Sequence, residues 1–223
     1  TDASASNIWN GNANGASSGG SFHLNSGVNL YSNFKGYNYA GEALVVHTAS
    51  SGISRIVGDT RAAYAASGLS KTGTGELQIT GSVAGAYQYG GTAISMNAGT
   101  LNILGNIESG TGNSGYSGYP IYCVGGTTTI HGNVQGNNTN ITSYIYVINT
   151  AKIYVYGNIN SGATAPYTIR LDNSNAFCFI SGSVSNTTNG NTCVFVDDNM
   201  YPDVIIHGNI ENSNTGVQAV YSR

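Results

Sequence analysis

Apolar and polar positions alternate in a seven-residue pattern that recurs down the chain: apolar, any, apolar, any, Gly, Asn or Ser, apolar. It reads LQITGSV at 77–83, LNILGNI at 101–107, TTIHGNV at 128–134, IYVYGNI at 153–159, CFISGSV at 178–184 and VIIHGNI at 204–210. Weaker copies stand at 54–60 (SRIVGDT) and 28–34 (VNLYSNF). The fifth position is Ser32, Gly58, Gly81, Gly105, Gly132, Gly157, Gly182 and Gly208, with separations of 26, 23, 24, 27, 25, 25 and 26 residues. Within the motif the period is 2, so the unit is a strand. The positions four and two before this glycine and two after it face a core, and those between face outward. A repeat of this length marks a solenoid whose units bury their apolar faces against one another.

A second strand is expected upstream of each motif, at 22–24 (FHL), 44–46 (LVV), 63–65 (AYA), 94–96 (ISM), 121–123 (IYC), 145–147 (IYV), 169–171 (IRL) and 194–196 (VFV). A partial last copy is placed at 217–220. The outer residues of each triplet are apolar, so the middle one points outward. A third strand follows where the motif continues past its glycine. Two or three short strands in roughly 25 residues, joined by Gly-, Ser-, Asn- and Thr-rich turns, stack into a parallel β-helix. The fold expected is therefore all-β, a β-solenoid of about eight to nine coils and on the order of 40 Å long at roughly 4.8 Å per coil. Residues 1–20 are read as a flexible segment or slight cap, and 21–223 as one domain. The residue after the glycine (Asn33, Asp59, Ser82, Asn106, Asn133, Asn158, Ser183, Asn209) forms a column able to bond its own backbone or the amide of the next coil.

From about residue 20 to 221 the repeat length, the G-N-I/V motif and the Asn column resemble the right-handed parallel β-helix superfamily, the pectin-lyase-like group. That group includes bacterial surface adhesins, phage tailspikes and fibres, and polysaccharide lyases. The resemblance implies a scaffold that hosts many functions, so activity has to be argued from a site.

Composition narrows the setting. Only 8% of residues are charged and 32 of 223 are Gly, with 16 Tyr. Ordinary soluble domains carry about 25% charged residues. The profile suits an extracellular, cell-surface or virion protein. A net charge of −3 with seven scattered Lys and Arg gives no footprint for nucleic acid. No apolar run is long enough to span a membrane. Three cysteines without a C-x-x-C pair read as small buried hydrophobes rather than a metal or disulfide framework.

The best acidic constellation is Asp172 and Asp197, which follow equivalent strands of adjacent coils and so lie roughly 5 Å apart. Asp198 is next along the chain, and Arg170 shares the face of Asp172. Such carboxylates fit glycosidic acid/base chemistry or a Ca2+ ion; a surface Arg–Asp pair accounts for the same residues. Otherwise no cofactor is expected. Tyr64, Tyr122, Tyr146, Tyr154, Tyr156 and Phe195 are assigned to outward columns, as a candidate surface for glycan or protein; strand propensity and ladder packing explain them equally. The ends are candidates for assembly. Ile8 and Trp9 are the apolar residues of the N-terminal segment, and Val217 and Val220 belong to a last coil with an exposed edge. The leading expectation is a non-enzymatic structural or adhesive module in a larger surface, filament or virion assembly, with other subunits and possible glycan as partners. The alternative is a polysaccharide lyase or hydrolase using Asp172, Asp197 and Arg170.

Overall fold

The structure, a computed structural model, describes residues 2–10, 21–38, 43–64, 67–85, 92–109, 119–136, 143–162, 166–173, 175–187, 192–197, 202–212 and 219–222; for 2–10, 37–38, 63–64 and 222 it describes the backbone alone. Among the described residues every strand pairing is parallel, and the strands form a sixteen-stranded and a nine-stranded sheet. The fold is a parallel β-solenoid with three strand ladders. The upstream ladder is the nine-stranded sheet: Phe22–Leu24, Ala43–His47, Ser67–Lys71, Ile94–Met96, Ile121–Cys123, Ser143–Val147, Tyr167–Leu171, Thr192–Val196 and Val220–Ser222. The motif ladder runs from Asn29–Asn38 through Ile53–Val57, Glu76–Ile79, Thr100–Ile103, Thr127–Ile130, Lys152–Val155 and Phe177–Ile180 to Asp203–Ile206. The third ladder follows the glycine, from Thr60–Tyr64 to Ile210–Asn212. Where the fifth motif position is Ser32, the strand does not break. Asn29–Asn38 pairs with Ile53–Val57 through its first half and with Thr60–Tyr64 through its second, which joins two ladders into one sheet.

Period-2 alternation decides what is buried. Ile56, Ile79, Ile103, Ile130, Val155 and Ile180 are in register and fully buried, while Ile206, in the last described strand of that column, is only half-buried. Cys123, Cys178 and Cys193 are buried free thiols. Burial pushes Cys123 up to about 12 and raises the other two.

The motif glycines are demanded by close approach. A Cβ on Gly105 would lie 2.4 Å from the carbonyl carbon of Gly81, and one on Gly132 would lie 2.3 Å from the carbonyl oxygen of Gly105. Beside them runs the polar column. Asn33 Oδ1 accepts the amide of Asp59 (2.9 Å), and Asp59 Oδ1 accepts that of Ser82 (2.8 Å). Ser82, Asn106, Asn133, Asn158 and Ser183 continue it, each capping the amide one coil on, as far as Asn209. Each coil thereby satisfies a backbone donor at the bend, where no strand pairing does so.

Strand frames in the first coils differ from the sequence expectation. Val45 is inward and fully buried; Val46 is the outward residue, opposite His23 and Ser70. Tyr64 ends a strand of the third ladder, and the upstream strand of that coil is Ser67–Lys71. The last described upstream strand is Val220–Ser222, which sets Tyr221 in the outward column, opposite Phe195; of the partial copy expected at 217–220, residues 217–218 lie outside the described residues. Of the N-terminal segment, expected as flexible or a slight cap, Asp2–Asn10 is a strand paired in parallel with Asn29–Asn38.

Candidate functional site

The outward column of the upstream ladder reads Ser95, Tyr122, Tyr146, Arg170, Phe195 and Tyr221 in strict register. Tyr119 and Tyr167 join it from the flanks. Ring centroids are 5.5 Å apart for Tyr119–Tyr122, 5.6 Å for Tyr122–Tyr146, 4.6 Å for Tyr167–Phe195 and 5.7 Å for Phe195–Tyr221. The rings therefore stack on one another along the solenoid axis. Their faces are largely taken up by neighbours: Phe195, expected on an open binding surface, is buried at 8% exposure, Tyr122, Tyr146 and Tyr167 are half-buried, and Tyr221 is exposed.

Arg170 fills the gap in this row. Its guanidinium lies 5.0 Å from the centroid of Tyr146, 5.7 Å from Phe195 and 5.8 Å from Tyr167. It also grips Asp172 with two nitrogens, Nε to Oδ1 at 2.9 Å and Nη2 to Oδ2 at 2.5 Å. The Tyr146 hydroxyl donates to the same Oδ2 at 2.8 Å. Burial, reinforced by the Asp172 carboxylate, pushes Tyr146 up to about 12; the Asp172 hydrogen bond raises Arg170 further. Asp172 and Asp197 do follow paired residues of neighbouring strands, Leu171 and Val196. Both oxygens of Asp172 are already engaged within the chain, however, in a planar two-point grip typical of an ion pair. Asp198 lies outside the described residues. Among the described residues no group of three or more His, Cys, Asp or Glu converges to hold a metal ion.

The remaining aromatic candidates do not share this face. Tyr154 and Tyr156 project from the motif ladder, where His131 stacks on Tyr156 (5.2 Å) and Phe179 meets Tyr154, Tyr156 and His207. Tyr64 belongs to the third ladder. The six residues grouped from the sequence thus fall on three sides of the solenoid, and only Tyr122, Tyr146 and Phe195 form one row. Of the assembly candidates, register sets Ile8 opposite Phe34 and Trp9 opposite Lys35. Val220 is 50% exposed, and Val217 lies outside the described residues.

Sequence reading missed a buried polar cluster in the upstream ladder. His47 and Lys71 are neighbours in the inward column, between Leu24 and Met96, and both are fully buried. Lys71 Nζ donates to the carbonyls of Gly73 (2.5 Å), Gly75 (2.6 Å) and Ala98 (3.1 Å). It thereby ties its own turn to the turn of the next coil. Burial pushes the Lys71 ammonium down to about 8, with Glu76 opposing. Burial, then Lys71, pushes His47 down to about 4; its Nε2 pairs with Ser54 Oγ at 3.2 Å. One signal pointed to this cluster: Leu69 lies 25 residues before Ile94, one repeat away. With no outward face, the cluster is architecture rather than a site open to ligand.

Comparison with protein-family models, curated proteins and solved structures finds no match to this chain.

Proposed function

We propose that this protein is a non-enzymatic structural and adhesive β-solenoid module of an extracellular surface, filament or virion assembly, which binds glycan along the aromatic row of its nine-stranded sheet. The observation that carries this reading is the place of Arg170. It is stacked among Tyr146, Tyr167 and Phe195 and locked to Asp172. A side chain so engaged is rigid, and the tyrosines around it present amphipathic edges at low entropic cost. Sugar hydroxyls find the phenol oxygens of Tyr122 and Tyr146 one strand spacing apart and that of Tyr221 farther along the column. Membership of a larger assembly is supported by the apolar cleft of about 360 Å3 that Val194, Val196, Val204, Ile206, Ile210 and Val220 line.

The alternative, a polysaccharide lyase or hydrolase, is favoured by the column shared by Asp172 and Asp197. One set of measurements tests both readings: retention of neutral and acidic polysaccharides in affinity electrophoresis, and release of reducing or unsaturated ends. Binding that falls in Tyr122→Ala, with Asp172→Asn/Asp197→Asn showing unchanged polysaccharide lengths, supports adhesion. Depolymerisation by the wild type that disappears in the double variant would establish the enzyme instead.

A further inference from the structure

We infer that the outer face of the motif ladder, over the strands Lys152–Val155, Phe177–Ile180 and Asp203–Ile206, binds a second copy of this chain about a two-fold axis lying along the middle strand. The register carries the argument. Lys152, Phe177 and Asp203 occupy one column on three successive strands, in the order cation, ring, anion. Reversing this column end to end gives its own complement. In two solenoids packed face to face with opposed axes, Lys152 of each copy meets Asp203 of the other, and the two Phe177 rings meet at the centre.

The next outward column behaves in the same way. Tyr154, Phe179 and Ile205 are in register, so Tyr154 meets Ile205 and Phe179 meets its own symmetry mate. Beyond the strands, Tyr156 of one copy comes opposite His207 of the other. The surface is accessible: Tyr156 is 48% and Ile205 43% exposed, and Lys152, Asp203 and His207 are exposed. Neither Lys152 nor Asp203 has an ion-pair partner among the described residues. Both border a cleft of about 500 Å3 walled by Phe177, which gives the opposing ring a seat.

An isologous contact requires such self-complementarity, with residue i on j and j on i. A two-fold axis parallel to the solenoid axis would instead set Lys152 opposite Tyr156 and Asp203 opposite His207, leaving the Lys152 ammonium without an anion. Charge order therefore selects the antiparallel arrangement, with sheets about 10 Å apart. The face lies on a different sheet from the Tyr122–Phe195 row, so this inference does not depend on what that row binds.

The test is sedimentation of the full chain over a concentration series reaching about 1 mM, because a three-stranded contact is small beside the roughly 1,600 Å2 of a standard interface. Wild type should show a concentration-dependent dimer. Lys152→Asp alone and Asp203→Lys alone should each weaken it at least tenfold. Mixing these two variants should restore dimers, since in the mixed pair the Lys152→Asp carboxylate meets the Asp203→Lys ammonium in one contact and native Asp203 meets native Lys152 in the other. The double variant Lys152→Asp/Asp203→Lys should also recover self-association. Unchanged thermal transitions would show that these exposed substitutions leave the coils folded, and Lys152→Gln supplies a milder second variant. A wild type that stays monomeric, a dimer indifferent to charge reversal, or a mixture that fails to reassociate would each overturn the inference.

Discussion

Replacing Lys71 with Met tests how a solenoid core accommodates a full charge. The side chain is fully buried and its ammonium meets three carbonyls. Its pKa falls from 10.5 to about 8, a difference that disfavours the native charged form by roughly 3 kcal/mol near neutral pH. Met keeps the length and removes that penalty. It also forfeits three hydrogen bonds, each worth about 1 kcal/mol net. The two effects nearly cancel, so Lys71→Met should lie within about 1 kcal/mol of wild type at about pH 7. The balance changes with pH. Lys71 is a base whose folded pKa is lowered, so the unfolded chain holds more protons between about 8 and 10.5. The Lys71 contribution to wild-type stability therefore rises across that window, by about 2 kcal/mol between about pH 7 and about pH 9.5. The buried thiols act oppositely, because their folded pKa values are raised and the unfolded thiols ionise first. They do so in both proteins, and the informative quantity is the difference. Urea unfolding at the two pH values, with matched m-values, should show the deficit of Lys71→Met widening by about 2 kcal/mol at the higher pH. A deficit that is the same at both would mean that Lys71 is not the titrating group. A loss of several kcal/mol already at about pH 7 would mean that the carbonyl clamp outweighs desolvation.

Ile130→Asp, at a fully buried position between Ile103 and Val155, buries an unpaired charge and should abolish the cooperative thermal transition; a native-like transition by circular dichroism would refute the register. Gly105→Ala places a methyl 2.4 Å from the Gly81 carbonyl. It should cost at least about 2 kcal/mol by the same urea assay, and a neutral result would mean that successive bends are not in close contact.

The seven-residue motif made most of the scaffold legible. Its alternation assigned Ile79, Ile103, Ile130, Val155, Ile180 and Ile206 to one inward buried column, of which Ile206 is only half-buried, and the column from Asn33 to Asn209 was identifiable because small polar side chains recur beside the bend. Both follow from interactions that repeat with the period of the sequence. The upstream strands of the first coils were not legible, since no glycine marks their frame. A shift of one residue exchanges Val45 for Val46 and moves every side chain to the other face. That slip concealed His47, and expecting the next upstream strand at 63–65, where the structure has Ser67–Lys71, concealed Lys71. A lysine reads as outward by composition. Here it is inward because Gly73, Gly75 and, one coil away, Ala98 aim carbonyls at its ammonium, and the Ala98 partner lies 27 residues along the chain. The aromatic candidates show the same division. Sequence identified Tyr122, Tyr146 and Phe195 as outward residues of one column. Only the folded coils decided that Tyr154 and Tyr156 face another side, that the rings in the row consume one another's faces, and that Arg170 closes on Asp172 and Tyr146. Contacts within a strand follow local alternation, which a sequence displays. Contacts between coils depend on which residues the turns bring into register, and the strand lengths and turns that set it vary from coil to coil.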